Sequence, residues 1–148
     1  MMLIEFLSIF LLGLVSGVSF SHLLQRSPKR TLPAMQFLAV QQVLLRNYGP
    51  VIGGLEVATF ISTLAMAIVM WGEFMARVLV IIASACVLIM LIIWAVWINP
   101  INKTVNSWTS ESLPLNWADF RDRWHFLHTI RFVLSAVAFS AVISALFV

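Results

Sequence analysis

The residues best suited to chemistry form a stripe near the end of the sequence. Five side chains follow one another at spacings of four, three, four and three residues: Trp117, Arg121, Trp124, His128 and Arg131. On a helix this spacing places all five on one face. Such a face can hold a mostly apolar ligand through a few polar groups. Anchoring at a membrane surface, where Trp and Arg are common, explains the same stripe without a ligand.

Four further polar residues lie near the ends of long apolar stretches: His22, Glu56, Asn99 and Asn102. Glu56 is the most costly of them, because a charge deep in a membrane span costs about 2.5–3.5 kcal/mol and less near the span ends. We therefore expect Glu56 to contact Arg131 or His128. A buried pair that only holds two helices together, or a protonated Glu56, is the alternative. Each of the other three, taken singly, is also explained by packing or by a helix end.

The composition indicates an integral membrane protein. Of the 148 residues, 61% are hydrophobic and 10% are charged, whereas soluble domains carry about 25% charged residues. These values exclude a water-soluble globular enzyme, a disordered tail and a nucleic-acid binder. We therefore expect the protein to lie in the lipid bilayer, which is its main partner. The net charge of +3 is small. In an apolar chain, such an excess of positive residues indicates how the protein is oriented in the membrane rather than that it binds a polyanion. Cys86 is the single cysteine, which excludes an internal disulfide.

Four apolar stretches are long enough to cross a hydrocarbon core of about 30 Å, which takes roughly 20 helical residues. They cover about residues 6–24, 51–72, 78–98 and 128–148. Because backbone groups in lipid must bond within their own segment, the sequence predicts an all-α, four-helix membrane bundle in one domain, residues 1–148.

No Lys or Arg precedes Arg26, so we expect a retained first span rather than a cleaved signal peptide. Gly13 and Gly17 form a Gly-x-x-x-Gly pattern that predicts close helix packing, within the bundle or in a homo-oligomer.

The positive charges predict which side of the membrane each loop faces. Eight of the nine Lys and Arg residues lie between spans one and two, between spans three and four, or at the start of span four, and Arg77 alone lies on the opposite side. Since positively charged loops stay inside, we expect both termini outside and both long loops in the cytoplasm, at the plasma (inner) membrane. Helical alternation then brings the polar residues named above to the cytoplasmic end of the bundle.

The loops carry helix signals of their own. Thr31 can cap a short interfacial helix that ends near Asn47, and an extension of span two into the cytoplasm is the alternative. We expect Pro100 to end the third span and to give the preceding residue an extended backbone. Asn116, followed three residues later by an acid, resembles a capping box that starts the last helix at Trp117.

Other chemistries have weaker support in the sequence. Neither a glycine-rich phosphate loop nor a His-Glu-x-x-His motif is present. His125 and His128 are three residues apart and could meet a metal ion together with His22. However, His125 lies on the flank of the stripe, and no Cys or carboxylate pair lies nearby to complete the ligand set. We therefore expect no metal and no other cofactor.

Two segments resemble the anthrone oxygenase-like family of small four-span membrane proteins: Ile98-Asn99-Pro100-Ile101-Asn102, and Trp117-x3-Arg121-x-Arg123-Trp124-x3-His128-x2-Arg131. His22, at the end of a first span with two glycines, fits the same pattern. The resemblance covers nearly the whole chain. Family members of known activity oxidise anthrones to anthraquinones with molecular oxygen, without metal or flavin, and most members have no demonstrated activity.

The resemblance implies a reaction and a site. A base removes a proton from the acidic carbon of the anthrone, and the resulting carbanion reacts directly with molecular oxygen, the co-substrate. The implied catalytic residues are His128 as the base, Arg131 as an oxyanion donor and Glu56, which orients one of the two. The implied substrate-binding residues are Asn99 and Asn102 as further donors, Trp124 stacked on the rings, His22 and Arg121.

A non-enzymatic membrane protein is the competing hypothesis. Such a protein would bind a hydrophobic molecule or a partner helix, and the polar residues would hold the helices together. An exposed face at Gly13 and Gly17 favours a partner helix. A closed pocket beside His128 favours a ligand.

Overall fold

The computed structural model describes residues 2–148, and the described residues are helical apart from short turns and the chain end. In chain order the elements are α1 (Met2–Arg30), α2 (Ala34–Val69), α3 (Phe74–Ile93), a π-helical segment (Trp94–Ile98), α4 (Asn99–Ser107) and α5 (Trp117–Ser144). No strand occurs within residues 2–148. The predicted all-α class is therefore confirmed.

Four helical stretches are long and apolar enough to cross a membrane: Met2–Arg30, Tyr48–Val69, Phe74–Ser107 and Trp117–Ser144. The protein is therefore an integral membrane protein with a helical bundle. Two predicted span ends extend beyond their helices, since α2 ends at Val69 rather than Gly72 and α5 ends at Ser144 rather than Val148. Each of α1 and α3 packs against both α2 and α5. The four long helices thus form a ring, with α2 and α5 on opposite corners.

Two apolar clusters fill the interior of this ring. The larger cluster includes five fully buried side chains: Leu12, Met66, Val80, Val87 and Val142. Ala83 and Ala138 belong to the same cluster and have no exposed surface, so α3 and α5 can approach closely there. The smaller cluster lies at the other end of the bundle and includes Leu38, Ile98, Ile101, Val105 and Trp124. Trp124 and Ile98 connect this cluster to the polar residues described below.

The predicted interfacial helix is not a separate element. α2 runs unbroken from Ala34 to Val69, so the alternative, an extension of the second span, is correct. Thr31 does not cap α2, because its hydroxyl donates to the carbonyl of Pro28 at 2.8 Å and Pro33 occupies the cap position. Pro50 lies inside α2. A proline removes one backbone bond, and a helix packed against neighbours on both sides tolerates that loss.

The third span does not end at Pro100. Asn99 has φ −61° and ψ −41°, which is helical rather than extended, and α4 continues to Ser107. A proline ring clashes with the carbonyl four residues earlier in a regular helix, here that of Val96. Val96 lies in the π-helical segment, whose wider turn changes the position of this carbonyl. The helix therefore passes through the proline.

The last helix begins where it was predicted, at Trp117, with Asn116 in the cap position. The predicted capping box is absent, because the Asn116 side chain makes no capping hydrogen bond. Instead, the backbone N–H of Asp119 donates to the carbonyl of Asn116 at 3.0 Å. Backbone turn formation replaces the side-chain cap at this helix start.

Candidate functional site

A pocket opens at the end of the bundle where α1 ends and α5 begins. Its empty volume, which includes the open mouth, is about 510 Å³. Three helices supply most of its polar lining: His22 and Lys29 from α1, Gln41, Tyr48 and Glu56 from α2, and Trp124, His128 and Arg131 from α5. Trp94, Ile98 and Asn102 line it from the third span. Apolar walls with a few converging polar groups are typical of ligand sites.

Glu56 and Arg131 form an ion pair at the bottom of this pocket. Arg131 Nη2 donates to Glu56 Oε1, and the two residues are only 3% and 1% exposed. The pair joins α5 to α2, the two helices on opposite corners of the ring. The predicted contact between Glu56 and Arg131 is therefore present. Within residues 2–148, Glu56 Oε2 and Arg131 Nε are buried and have no hydrogen-bond partner.

Three aromatic rings meet beside the ion pair. The ring centroid of His128 lies 3.9 Å from that of Trp124 and 4.3 Å from that of His22. Tyr48 closes the other side of His22, with ring centroids 5.4 Å apart. Among the described residues, His128 Nε2 and His22 Nδ1 have no hydrogen-bond partner. A buried imidazole nitrogen without a partner can accept a proton from a bound ligand.

The structure brings Asn102, but not Asn99, to the pocket. Trp124 Nε1 donates to Asn102 Oδ1 at 2.9 Å, which fixes the indole and leaves the amide N–H groups of Asn102 to donate elsewhere. Asn99 is three residues earlier on the same helix and does not line the pocket. Arg121 does not line it either. Its Nε donates to Asp122 Oδ1 at 2.9 Å, on the more exposed side of α5.

Residues 20–141 match the family described as anthrone oxygenase. The chain belongs to the anthrone oxygenase family. No curated protein and no solved structure matches it. Every pocket residue named above, from His22 to Arg131, lies within the matched range. The predicted family is thus confirmed over the part of the chain that forms the pocket.

Ten of the sixteen pocket residues of this anthrone oxygenase family member were not among the predicted site residues. Two of the ten, Lys29 and Gln41, are buried polar residues, and a sequence signal exists for Lys29. Lys29 is 5% exposed, and its Nζ donates to Gln41 Oε1 at 3.0 Å. Lys29 follows His22 by seven residues, which places both on one helix face. The buried residues of α1 continue that face at spacings of four and three: Ser8, Leu12, Val15 and Ser19. Gln41 carries no comparable signal, because its burial depends on how α2 packs.

His125 is buried but lies outside the pocket lining. Neither of its ring nitrogens has a hydrogen-bond partner in residues 2–148. Within the same residues, no three His, Cys, Asp or Glu side chains are grouped so that they could hold one metal ion. His125 therefore differs from His128 in position rather than in burial, which makes it a matched control below.

The Gly-x-x-x-Gly face of α1 is only partly used within the chain. A Cβ atom at Gly13 would lie 3.7 Å from Cε2 of Phe139, so this glycine packs against α5. A Cβ atom at Gly17 would have no neighbour within 4 Å, and the residue is exposed. Gly13 thus contributes to packing inside the bundle. A homo-oligomer through Gly17 stays a prediction.

Proposed function

We propose that this protein is a membrane oxygenase that oxidises a hydrophobic, anthrone-like polycyclic phenol with molecular oxygen as co-substrate. The observation that carries the proposal is the environment of His128. Its Nε2 lacks a partner among the described residues, and its ring lies in a pocket beside Trp124 and His22. A base in an apolar pocket with an aromatic wall suits an aromatic substrate with an acidic carbon.

The proposed reaction begins when His128 removes one proton from the CH₂ group between the substrate's rings. The carbanion adds O₂ to form a peroxide at the same carbon. The O–O bond then breaks as the second hydrogen leaves, which gives a carbonyl group and one molecule of water. Four electrons pass from the carbon to O₂, so the balance requires no further oxidant.

The remaining pocket residues have supporting roles in this proposal. Arg131 Nε and the amide of Asn102 donate hydrogen bonds to the oxygen on which negative charge develops. Glu56 holds Arg131 in place through the ion pair. Trp124 and His22 contact the faces of the substrate rings. Asn99 and Arg121 have no role here, because neither lines the pocket.

We also propose that the pocket faces the cytoplasm at the plasma (inner) membrane, with both termini outside. The support is the distribution of positive charge, since Arg77 is the one Lys or Arg on the opposite side. An apolar substrate could then enter from the inner leaflet of the bilayer.

Oxygen uptake by membranes that carry the protein tests the proposal. With an anthrone as substrate and no added metal or flavin, we expect uptake to fall about 10²–10⁴-fold in His128→Ala, because a positioned base contributes that much. His125→Ala removes an equally buried imidazole outside the pocket and is the matched control. It should retain most of the activity.

Two results would contradict the proposal in different ways. Activity that a chelator abolishes and one metal ion restores would replace direct attack on oxygen by metal chemistry. Full activity in His128→Ala would remove the base and favour the non-enzymatic alternative, a membrane protein that binds a hydrophobic ligand or a partner helix.

A further inference from the structure

The ammonium group of Lys29 is buried in the pocket without a carboxylate to balance it. The residue is 5% exposed, and Nζ makes one hydrogen bond, to Gln41 Oε1 at 3.0 Å. None of the ion pairs found within residues 2–148 includes Lys29. Since an ammonium group has three N–H donors, two remain for another acceptor. Buried charges are normally paired, so this one indicates a missing anion.

The other charged groups of the pocket do not supply that anion. Glu56 is the acidic residue in the pocket lining, and it is paired with Arg131. The lining therefore contains two cations and one anion. The Trp124 ring, 5.3 Å from Lys29 Nζ, offers the ammonium a cation–π contact, which compensates a buried charge only in part. A ligand with one negative charge would balance the pocket.

We propose that Lys29 and Gln41 form a subsite for an anionic oxygen, and that the aromatic ligand of the pocket is therefore an acid with a carboxylate or phenolate group. The aromatic part of this ligand rests on the proposed function. Lys29 donates to the anionic oxygen, and the side-chain amide of Gln41, a residue that also lines the pocket, donates to the same group.

The arrangement around Trp124 determines the orientation of the ligand in the pocket. Lys29 Nζ lies 5.3 Å from the indole ring, and the His128 ring centroid lies 3.9 Å from it. A ligand that reaches the Trp124 side of the pocket thus lies near both groups. Its acid group lies at Lys29, and the carbon that loses a proton lies at His128. The subsite determines which aromatic molecules bind and in which orientation.

A pair of isosteric probes tests the subsite: anthraquinone-2-carboxylate and the neutral anthraquinone-2-carboxamide. Their dissociation constants are measured by titration calorimetry with the purified full chain in a neutral detergent. Loss of a hydrogen bond to a charged group weakens binding about 10- to 100-fold. We expect the protein to prefer the carboxylate by a factor in this range.

Three variants locate that preference. Lys29→Met removes the ammonium, and Gln41→Glu places a carboxylate beside it that repels the ligand's own. Both should abolish the preference for the carboxylate while still binding the carboxamide, and the retained carboxamide binding shows that the pocket is intact. Arg30→Met is the matched control, because it removes the next positive charge, which is exposed and paired with Asp122. It should keep the preference.

Several outcomes would overturn the subsite. Equal affinity of the unmodified protein for both probes would do so. An unchanged preference for the carboxylate in Lys29→Met would also do so, as would an equal loss of affinity for both probes in that variant. An anionic lipid headgroup is the other source of the same chemistry. If phosphatidylglycerol added to the micelles displaces the carboxylate in a Lys29-dependent manner, the subsite binds lipid and the aromatic acid is rejected. Failure of displacement supports the aromatic acid.

The calorimetric test requires no turnover, so the two proposals can fail separately. A Lys29-dependent preference without anthrone-dependent oxygen uptake would reject the oxygenase and retain the subsite. Oxygen uptake that depends on His128, without a preference for the carboxylate, would reject the subsite alone.

Discussion

The ion pair between Glu56 and Arg131 can be tested by removing one charge at a time. Glu56→Gln keeps the shape of the side chain and one acceptor oxygen but leaves Arg131, which is 3% exposed, without a counter-charge. Breaking a buried pair in this way costs about 3–5 kcal/mol. Both residues line the pocket, where water can reach the remaining charge, so we expect about 3 kcal/mol, at the lower end of the range.

The corresponding change in melting temperature is large enough to measure. For a chain of this size, 1 kcal/mol shifts Tm by about 2–4 °C, so Glu56→Gln should lower Tm by roughly 6–12 °C. Thermal unfolding of the purified protein in detergent, followed by circular dichroism, measures this shift. Asp122→Asn is the matched control. It breaks an ion pair with Arg30 whose side chains are 49% and 39% exposed, and exposed pairs contribute little to stability.

A double-mutant cycle shows whether the two residues act on each other. Arg131→Gln alone should lower Tm by a similar amount, because it leaves a buried carboxylate. The double variant Glu56→Gln/Arg131→Gln removes both charges and should lose much less than the two single losses together, with a coupling of about 2–3 kcal/mol. Strictly additive losses would refute the reasoning, since they would show that neither side chain stabilises the other.

Two further predictions concern orientation and assembly. A C-terminal fusion to a reporter enzyme that works only outside the cytoplasm should be active, because eight of the nine Lys and Arg residues lie on the side opposite to the termini; a bright cytoplasmic fluorescent reporter at the same position would reverse the topology. Gly17→Leu should reduce chemical cross-linking between copies of the chain, because the exposed Gly-x-x-x-Gly face would be blocked. Gly72→Leu, in an exposed turn with no neighbour within 4 Å, is the control, and equal cross-linking in both variants would exclude this face as the interface.

The sequence predicts the centre of the pocket well because membrane burial makes ionisable residues costly. Glu56 inside an apolar stretch requires a partner, and the four-three spacing of the α5 stripe leaves Arg131 and His128 as the candidates. The structure pairs Glu56 with Arg131. The same spacing identifies Trp124 and His128 as neighbours on one face, which the structure buries together. These inferences need only helical periodicity and a bilayer.

The edges of the pocket could not be predicted in the same way. Lys29 lies between Pro28 and Arg30, in a segment that looks like a solvated loop. The seven-residue spacing from His22 is informative only if α1 continues through Pro28, and the burial of Lys29 also depends on the position of Gln41 on α2. Asn99 was placed at the site because it ends the predicted third span on the cytoplasmic side and belongs to a motif that resembles the family. The helix continues instead. The two asparagines therefore have fixed positions around one helix, and only Asn102 reaches Trp124.

The π-helical segment sets the rotational phase between the two halves of the third span. From Ala76 to Met90, buried residues recur at spacings of three and four. Ile98 follows Met90 by eight residues, and a regular α-helix would turn it about 80° away from that line. The extra residue in the π turn compensates for this rotation, so Ile98 and Ile101 are buried again. The length of this segment thus determines where α4 points. An insertion or deletion there would redirect a whole wall of the pocket, whereas a substitution changes only one side chain.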